Sequence, residues 1–408
     1  MTVEGLDRYA RVLVEVGLRL QPGDRLLIRA DSHATRLVSR VASHAYRAGV
    51  INVDVLWSDP ELERSRLVDG SDDAVDELPY APEVLNRAAK RGDSVLTLIG
   101  AGPGDFDGAD PVRVDSFRRA VRGAAADFYQ GMFALDYIWS VAAVPSFEWS
   151  RLVFPESPHD DALTALWDAV LAACRATGEN PVADWDEHLD QLDARQGYLN
   201  ERRYSSIRYH GPGTDLEVGL HPNHWWNHPG EGIKGRRTVA NIPTEEVSTS
   251  PDNRQAEGVV TASKPLVYAG TVIRDFQLRI ADGRVVEATA EHGQDALDRL
   301  LATDEGSSRL GEVALVPQSS AVAAQRLVWH ETLFDENDAS HLALGAGYPF
   351  GLRGGLEMTP EELQESGLNQ SSQHIDFVVG SSDTTIMGVR SDGSTDVLIK
   401  EGEWAFDL

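Results

Sequence analysis

Helix-like and strand-like patterns alternate along the first half of the chain, and this alternation limits the fold more than any other feature. Residues 6–20 carry apolar side chains at helical spacing and run into the turn Gln21-Pro22-Gly23-Asp24, after which residues 25–29 form a short apolar strand pattern. Residues 34–48 predict a helix closed by Gly49, and residues 50–57, rich in β-branched side chains, predict a second strand. A helical stretch over 81–89 precedes a third strand over 94–99. Strands separated by helices lie side by side in one direction, so residues 1–190 are predicted to form an α/β domain around a largely parallel sheet. The glycine-rich run at 100–104 follows the third strand but lacks the G-x-G-x-x-G spacing, and its Pro103 and neighbouring Asp105 suit a turn better than a phosphate cradle. A nicotinamide-dependent enzyme is therefore a poor fit.

The pattern changes after two further helices, predicted over about 160–177 and 183–199. Paired strand patterns then flank turn sequences: 205–209 and 216–219 around residues 211–215, 276–280 and 285–290 around Asp282-Gly283, and 385–389 and 396–399 around Asp392-Gly393. Helical patterns are confined to 294–301 and 360–365. Residues 191–408 are thus predicted to form an α+β domain, and 408 residues suit two domains better than one core.

The formal net charge of −28 repels phosphate backbones, which argues against nucleic acid as a partner. The same field attracts divalent cations and peptides with a free α-ammonium. Cys174 is the only cysteine, so an internal disulfide and a thiolate-rich zinc site are both excluded, which favours a reducing, cytoplasmic setting. Charges at Glu4, Asp7, Arg8, Arg11 and Glu15 interrupt the first twenty residues, and no run of eighteen apolar residues occurs; neither a secretory signal nor a membrane span is predicted.

Hydrolase signatures of the H-E-x-x-H and G-x-S-x-G kinds are absent. Four segments of the second half carry chemistry instead. Asn241-Ile-Pro-Thr-Glu-Glu-Val247 sets two carboxylates, Glu245 and Glu246, among apolar and hydroxyl side chains, where burial without a cation is costly. On a regular strand the two point to opposite faces, so only one can serve a given site. Glu312 opens the strand-like Gly311-Glu-Val-Ala-Leu-Val-Pro317. His341 stands beside an apolar run, with Tyr348 seven residues on, after two glycines. His374 and Asp376, two apart on a predicted strand, emerge on one face. Each alone is as compatible with a core histidine or a solvated carboxylate as with a ligand. Together they form an oxygen and nitrogen donor set without thiolate, suited to Zn, Co or Mn. Three carboxylates (Glu246, Glu312, Asp376) outweigh one divalent ion, whereas two ions roughly 3.5–4 Å apart and a shared hydroxide balance them. A rival cluster, His221, His224 and His228, is interrupted by Pro222 and followed by Pro229; a loop beside the substrate, walled by Trp225 or Trp226, fits it better than a metal site.

These four blocks, in this order, closely resemble the M29 family of metallopeptidases, the thermophilic aminopeptidases. The likeness runs nearly end to end and includes Leu6-Asp-Arg-Tyr-Ala10, Gly17, Gly23, Trp167 and Leu199-Asn200. The resemblance implies metal ligation by Glu246, Glu312, His341, Tyr348, His374 and Asp376, with Tyr348 and Glu312 also catalytic. It further implies a co-catalytic pair of divalent ions, removal of N-terminal residues from peptides with a free N-terminus, and a homodimer. Ser248, Trp329-His330-Glu331 and Glu401 depart from the family pattern; none removes a ligand, so they bear on side-chain preference. The intact set argues against the alternative of an inert, metal- or peptide-binding relative.

Overall fold

The computed structural model describes residues 2–100 and 108–408, so positions 101–104 of the glycine-rich run lie outside the described residues. The chain forms two compact units. One comprises Met1–Asp186 with Pro229–Ile242, the other Glu187–His228 with Pro243–Leu408.

The first unit is α/β. Its five strands run parallel in the order Asn52–Ser58, Arg25–Asp31, Ser94–Ile99, Trp139–Ala143, Asn241–Ile242. Leu26, Leu27 and Ile28 are all buried, because helices cover both faces and the strand needs no polar side. The helix Thr35–Arg47 buries Leu37, Val38, Val41 and Ala45 at helical spacing. The pattern over 6–20 predicts one helix, yet the α-helix Val3–Val12 gives way to a π-helical turn, Leu13–Gly17. Close packing explains the change: a Cβ at Gly17 would lie 3.1 Å from both Ser140 and Ile242. The fifth strand, only two residues long, is too short to leave a periodic signal.

The second unit contains two antiparallel sheets, one of nine strands and one of four. Each hairpin predicted from the sequence forms in the large sheet: Ser206–Gly211 with Thr214–Leu220, Thr271–Ala281 with Arg284–His292, and Thr385–Val389 with Thr395–Lys400. At Asp282 and Gly283 φ is 49° and 72°, the left-handed pair that matches strand twist in a two-residue loop. The small sheet has the order His374–Val378, His341–Gly345, Leu310–Leu315, Val247–Thr249. Its two central strands are buried at every residue. Phe276 of the large sheet meets Phe377 of the small one at 5.7 Å between ring centroids. Among the described residues no helix is long and apolar enough to cross a membrane.

One carboxylate ties the approach to His374 in place. Asp304 accepts hydrogen bonds from the amide and hydroxyl of Ser307 (2.9 and 2.8 Å), the hydroxyl of Ser371 (2.8 Å), and the amide and hydroxyl of Ser372 (both 2.7 Å). Burial raises its pKa, but the donors of Ser372, Ser307 and Ser371 outweigh that and hold it far below the usual carboxylate range. A carboxyl whose folded pKa is depressed contributes fully above its unfolded pKa and loses that contribution as pH falls towards the folded value. Asp304→Ala should therefore cost about 1.5–3 kcal/mol at pH 7, with a smaller gap from wild type at pH 3. Urea unfolding of both proteins at both pH values measures this; a gap independent of pH would mean that the charge plays no part.

Candidate metal centre

Strand register alone gathers most of the predicted residues. Glu312, Ala343 and Asp376 stand opposite one another across three neighbouring strands, so their side chains leave the sheet on the same side. Alternation adds Ala314 paired with His341, and Gly345 paired with His374. Ser248 pairs with Ala314, and Glu246, two residues earlier, reaches the same cluster. Between the functional side chains lie Ala314, Ala343 and Gly345, which leave volume above the sheet. A bulge between Leu310 and Glu312 sets this register; without it Glu312 would face the other way. Glycine is required at the bulge, since a Cβ on Gly311 would meet the carbonyl oxygens of Ala346 and Gly345 at 2.3 and 2.4 Å.

His341 Nε2 lies 3.1 Å from Glu246 and 3.9 Å from Asp376. His374 Nε2 lies 3.0 Å from Glu312 and 3.2 Å from Asp376. His374 Nδ1 donates to the Ala346 carbonyl at 2.6 Å, which fixes the ring and turns Nε2 towards the carboxylates. The donor atoms fall into two groups, Glu246 with Glu312 and His341, and Glu312 with His374 and Asp376, each within 4.8 Å. Glu312 belongs to both. Tyr348 stacks on Phe350 at 4.9 Å and lies tilted against the His374 ring at 4.5 Å between ring centroids.

The electrostatics are those of negative charge short of a cation. Burial raises the Glu246 pKa, and the Glu312 and Asp376 carboxylates add to that against the pull of His341. Burial would lower His341, but Glu246, Asp376 and Glu312 override it and push the imidazole up to about 9. His374 is raised well above its ordinary value in the same way, against burial, by Tyr348, Asp376 and Glu312. Burial also raises the Tyr348 phenol. The carboxylates thus favour positive charge at both histidines, charge that a divalent cation would supply instead. A buried, thiolate-free set of carboxylates and imidazoles, with one carboxylate common to two groups, fits divalent ions.

The two adjacent glutamates part company. Glu246 joins the cluster, whereas Glu245 lies 3.7 Å from His188, accepts from the Ala321 amide at 3.3 Å, and sends its own amide to Asn337 Oδ1 at 2.7 Å. The loop histidines do not converge. His228 pairs with Asp193 at 2.9 Å, His224 Nδ1 bonds the His221 carbonyl at 2.8 Å, and His221 Nδ1 accepts from the Asn223 amide at 3.0 Å. Trp226 is fully buried, while Trp225 carries Arg353 over its ring at 4.4 Å.

Sequence reasoning missed Glu336 and Asn337. Both are buried, at 8% and 1% exposure, and the Glu336 carboxyl lies beside those of Asp376, Glu246 and Glu312. Asn337 bonds the Leu333 carbonyl at 2.9 Å, Glu336 Oε1 at 3.3 Å and the Glu245 amide, tying two segments of the site together. The available signal was acid density beside apolar residues: Glu331, Asp335, Glu336 and Asp338 fall within eight positions that also hold Leu333 and Phe334. Burial raises Glu331 and Asp335 to about 7 and pushes Glu336 well above the carboxylate range.

Known proteins share this arrangement of sequence and fold. Residues 2–404 match the family described as thermophilic metalloprotease (M29). Aminopeptidase AmpS of Bacillus subtilis is 37% identical over 404 residues, 98% of each chain, and Aminopeptidase T of Thermus thermophilus is 37% identical over 401 residues, again 98% of each. The solved structure of wild-type AmpT from Thermus thermophilus superposes with a TM-score of 0.92 at 36% identity, covering 98% of this chain and 99% of that one. With a full-length match, relatives of this identity and a buried donor set suited to divalent ions, the chain belongs to the M29 family of thermophilic metalloproteases.

Proposed function

We propose that the chain is a metal-dependent aminopeptidase that works with two divalent ions, Zn, Co or Mn, and releases N-terminal residues from peptides. The observation that carries this reading is the pair of donor groups sharing Glu312: Glu246 and His341 on one side, His374 and Asp376 on the other. Glu246, Glu312, His341, His374 and Asp376 would hold the ions, with Tyr348 beside them. When bound, such a pair lowers the pKa of a water and polarises the scissile carbonyl.

The chain's own groups prepare that chemistry. Ala346 holds the His374 ring so that Nε2 keeps its lone pair for the site. Tyr348, anchored through its backbone to the Ser250 hydroxyl at 3.0 Å and packed against the His374 ring, keeps its phenolic proton because burial raises its pKa. In this reading its hydroxyl would donate to the oxyanion that develops on the attacked carbonyl. Burial of Glu246, Glu312 and His341 lowers the local dielectric and strengthens each of these interactions. Peptides with a free N-terminus are the substrates in this reading. A homodimer rests on the family resemblance, and a cytoplasmic setting on the lone buried Cys174.

Elemental analysis after gentle dialysis tests the reading. Two divalent ions per chain are expected, restored after chelation by added cobalt, zinc or manganese. A content fixed at zero or one whatever is added would refute the two-ion arrangement.

A further inference from the structure

Residues 223–227 run extended along the outer edge of the four-stranded sheet. The Trp225 amide donates to the Gly351 carbonyl at 2.8 Å and the Asn227 amide to the Ser248 carbonyl at 2.9 Å. Between them the Trp226 amide points the other way, to Asn200 Oδ1 at 3.0 Å. That alternation is a strand's, so Trp225 and Asn227 send their side chains to one face and Trp226 to the opposite one. The register fixes which face. Asn227 stands opposite Ser248, Ser248 opposite Ala314, and Ala314 opposite His341. Opposed residues share a side, so Trp225 leaves the sheet on the side that carries His341, Glu312 and Asp376.

Arg353 lies on that tryptophan. Its amide donates to the Asn223 carbonyl at 2.9 Å, and the preceding Leu352 is bridged to His224. Leu352 turns inward to Leu363 and Leu368, whereas Arg353 turns outward and is exposed, its guanidinium 4.4 Å from the centre of the Trp225 ring. Among the described residues no carboxylate pairs with Arg353, although the chain carries a net charge of −28. A guanidinium laid on an indole keeps its N–H edge free and is already oriented for a carboxylate. Two strand spacings, roughly 10 Å, separate the Trp225 segment from the strand of Glu312. A single N-terminal residue is too short to cross that distance, but about three extended residues span it.

We propose that Arg353, laid on Trp225, binds a carboxylate of the substrate on the leaving side of the scissile bond, so that short peptides carrying one there are preferred. The inference rests on the aminopeptidase reading above and adds to it the residue that reads the far part of the peptide. The carboxylate is either the C-terminus of a short peptide or an acidic side chain near it. Trp225 is then a positioning residue, because its ring holds the guanidinium that makes the contact.

The test measures leucine release by cobalt-loaded protein from two pairs of peptides. One pair is Leu-Gly-Gly and its C-terminal amide; the other is the amides of Leu-Gly-Glu and Leu-Gly-Gln. In wild type the member with the carboxylate should win in at least one pair by about tenfold in kcat/KM, carried by KM, as a charge-assisted hydrogen bond provides. The acidic field of the chain by itself favours the uncharged member, so the sign of the preference is diagnostic. A preference in the first pair identifies the C-terminal carboxylate, and one in the second pair alone an acidic side chain. In Arg353→Gln the ratio should fall to one or below. Arg353→Lys, which keeps the charge but loses the fork, should keep part of it. Trp225→Leu should raise KM for the preferred peptide and leave kcat in place. Metal content and far-ultraviolet circular dichroism on the same samples show that each variant is folded and loaded. A preference that survives in Arg353→Gln overturns the assignment. Cleavage of all four peptides by wild type without a preference in either pair overturns it and leaves the aminopeptidase reading standing. No leucine release from any of them sinks that reading, and the assignment with it.

Discussion

Glu312→Gln, His374→Ala and Asp376→Asn should each lower kcat by about 10³-fold or more, because assistance from bound metal contributes several kcal/mol to the barrier. Glu312 should be the most sensitive, since it alone belongs to both donor groups. The loss should persist in excess metal, where ion occupancy no longer limits the rate. His221→Ala, His224→Ala and His228→Ala provide the contrast. Their rings are spent on Asn223, a backbone carbonyl and Asp193, so these changes should affect KM at most. Steady-state kinetics on the six variants, with metal content checked for each, decides the matter. Essential loop histidines with a dispensable His374 would relocate the site.

A short peptide should be degraded stepwise from its N-terminus while its N-acetylated twin survives, with a difference of about 10⁴–10⁵ in kcat/KM in a favourable case. The physical reason is that a buried acceptor for the ammonium is left unpaired by an acetamide, and the unpaired charge sits in a low-dielectric site. Sterics add to the electrostatic penalty, since an acetyl group must also find room in a cluster already buried. Mass spectrometry of timed digests of both peptides, with cobalt or zinc present, gives the answer. Internal cleavage of the acetylated peptide at a similar rate would make the enzyme an endopeptidase.

Much of this protein can be read from local pattern. The strand over 94–99 and the helix over 294–301 form as predicted, Ser94–Ile99 and Gln294–Leu301. They are short, strongly patterned and bounded by turn residues, so local preference and tertiary demand agree. The chain follows the helical pattern over 6–20 only in part, because the close approach at Gly17 is a tertiary constraint with no periodic trace. The apolar pattern predicts that Glu312 opens its strand; it lies third in Leu310–Leu315, carried into line by a bulge that no such pattern records.

The site divides in the same way. His374 and Asp376 are two apart on a strand, so the sequence by itself places them on one face, and the structure brings both to Glu312. Residue types alone determined that the candidate donors are carboxylate and imidazole. The charge of the chain set a strongly acidic field, and the order of the four blocks carried the family likeness. Only tertiary structure separates Glu245 from Glu246: both lie just before the strand Val247–Thr249, yet one faces His188 and the other His341, residues far apart in the chain. Only tertiary structure added Glu336, whose neighbours Asp376, Glu246 and Glu312 are distant in sequence. Side-chain type and spacing act over a few residues, but the cost of a buried charge depends on everything packed around it, and that is known only once the sheet has closed.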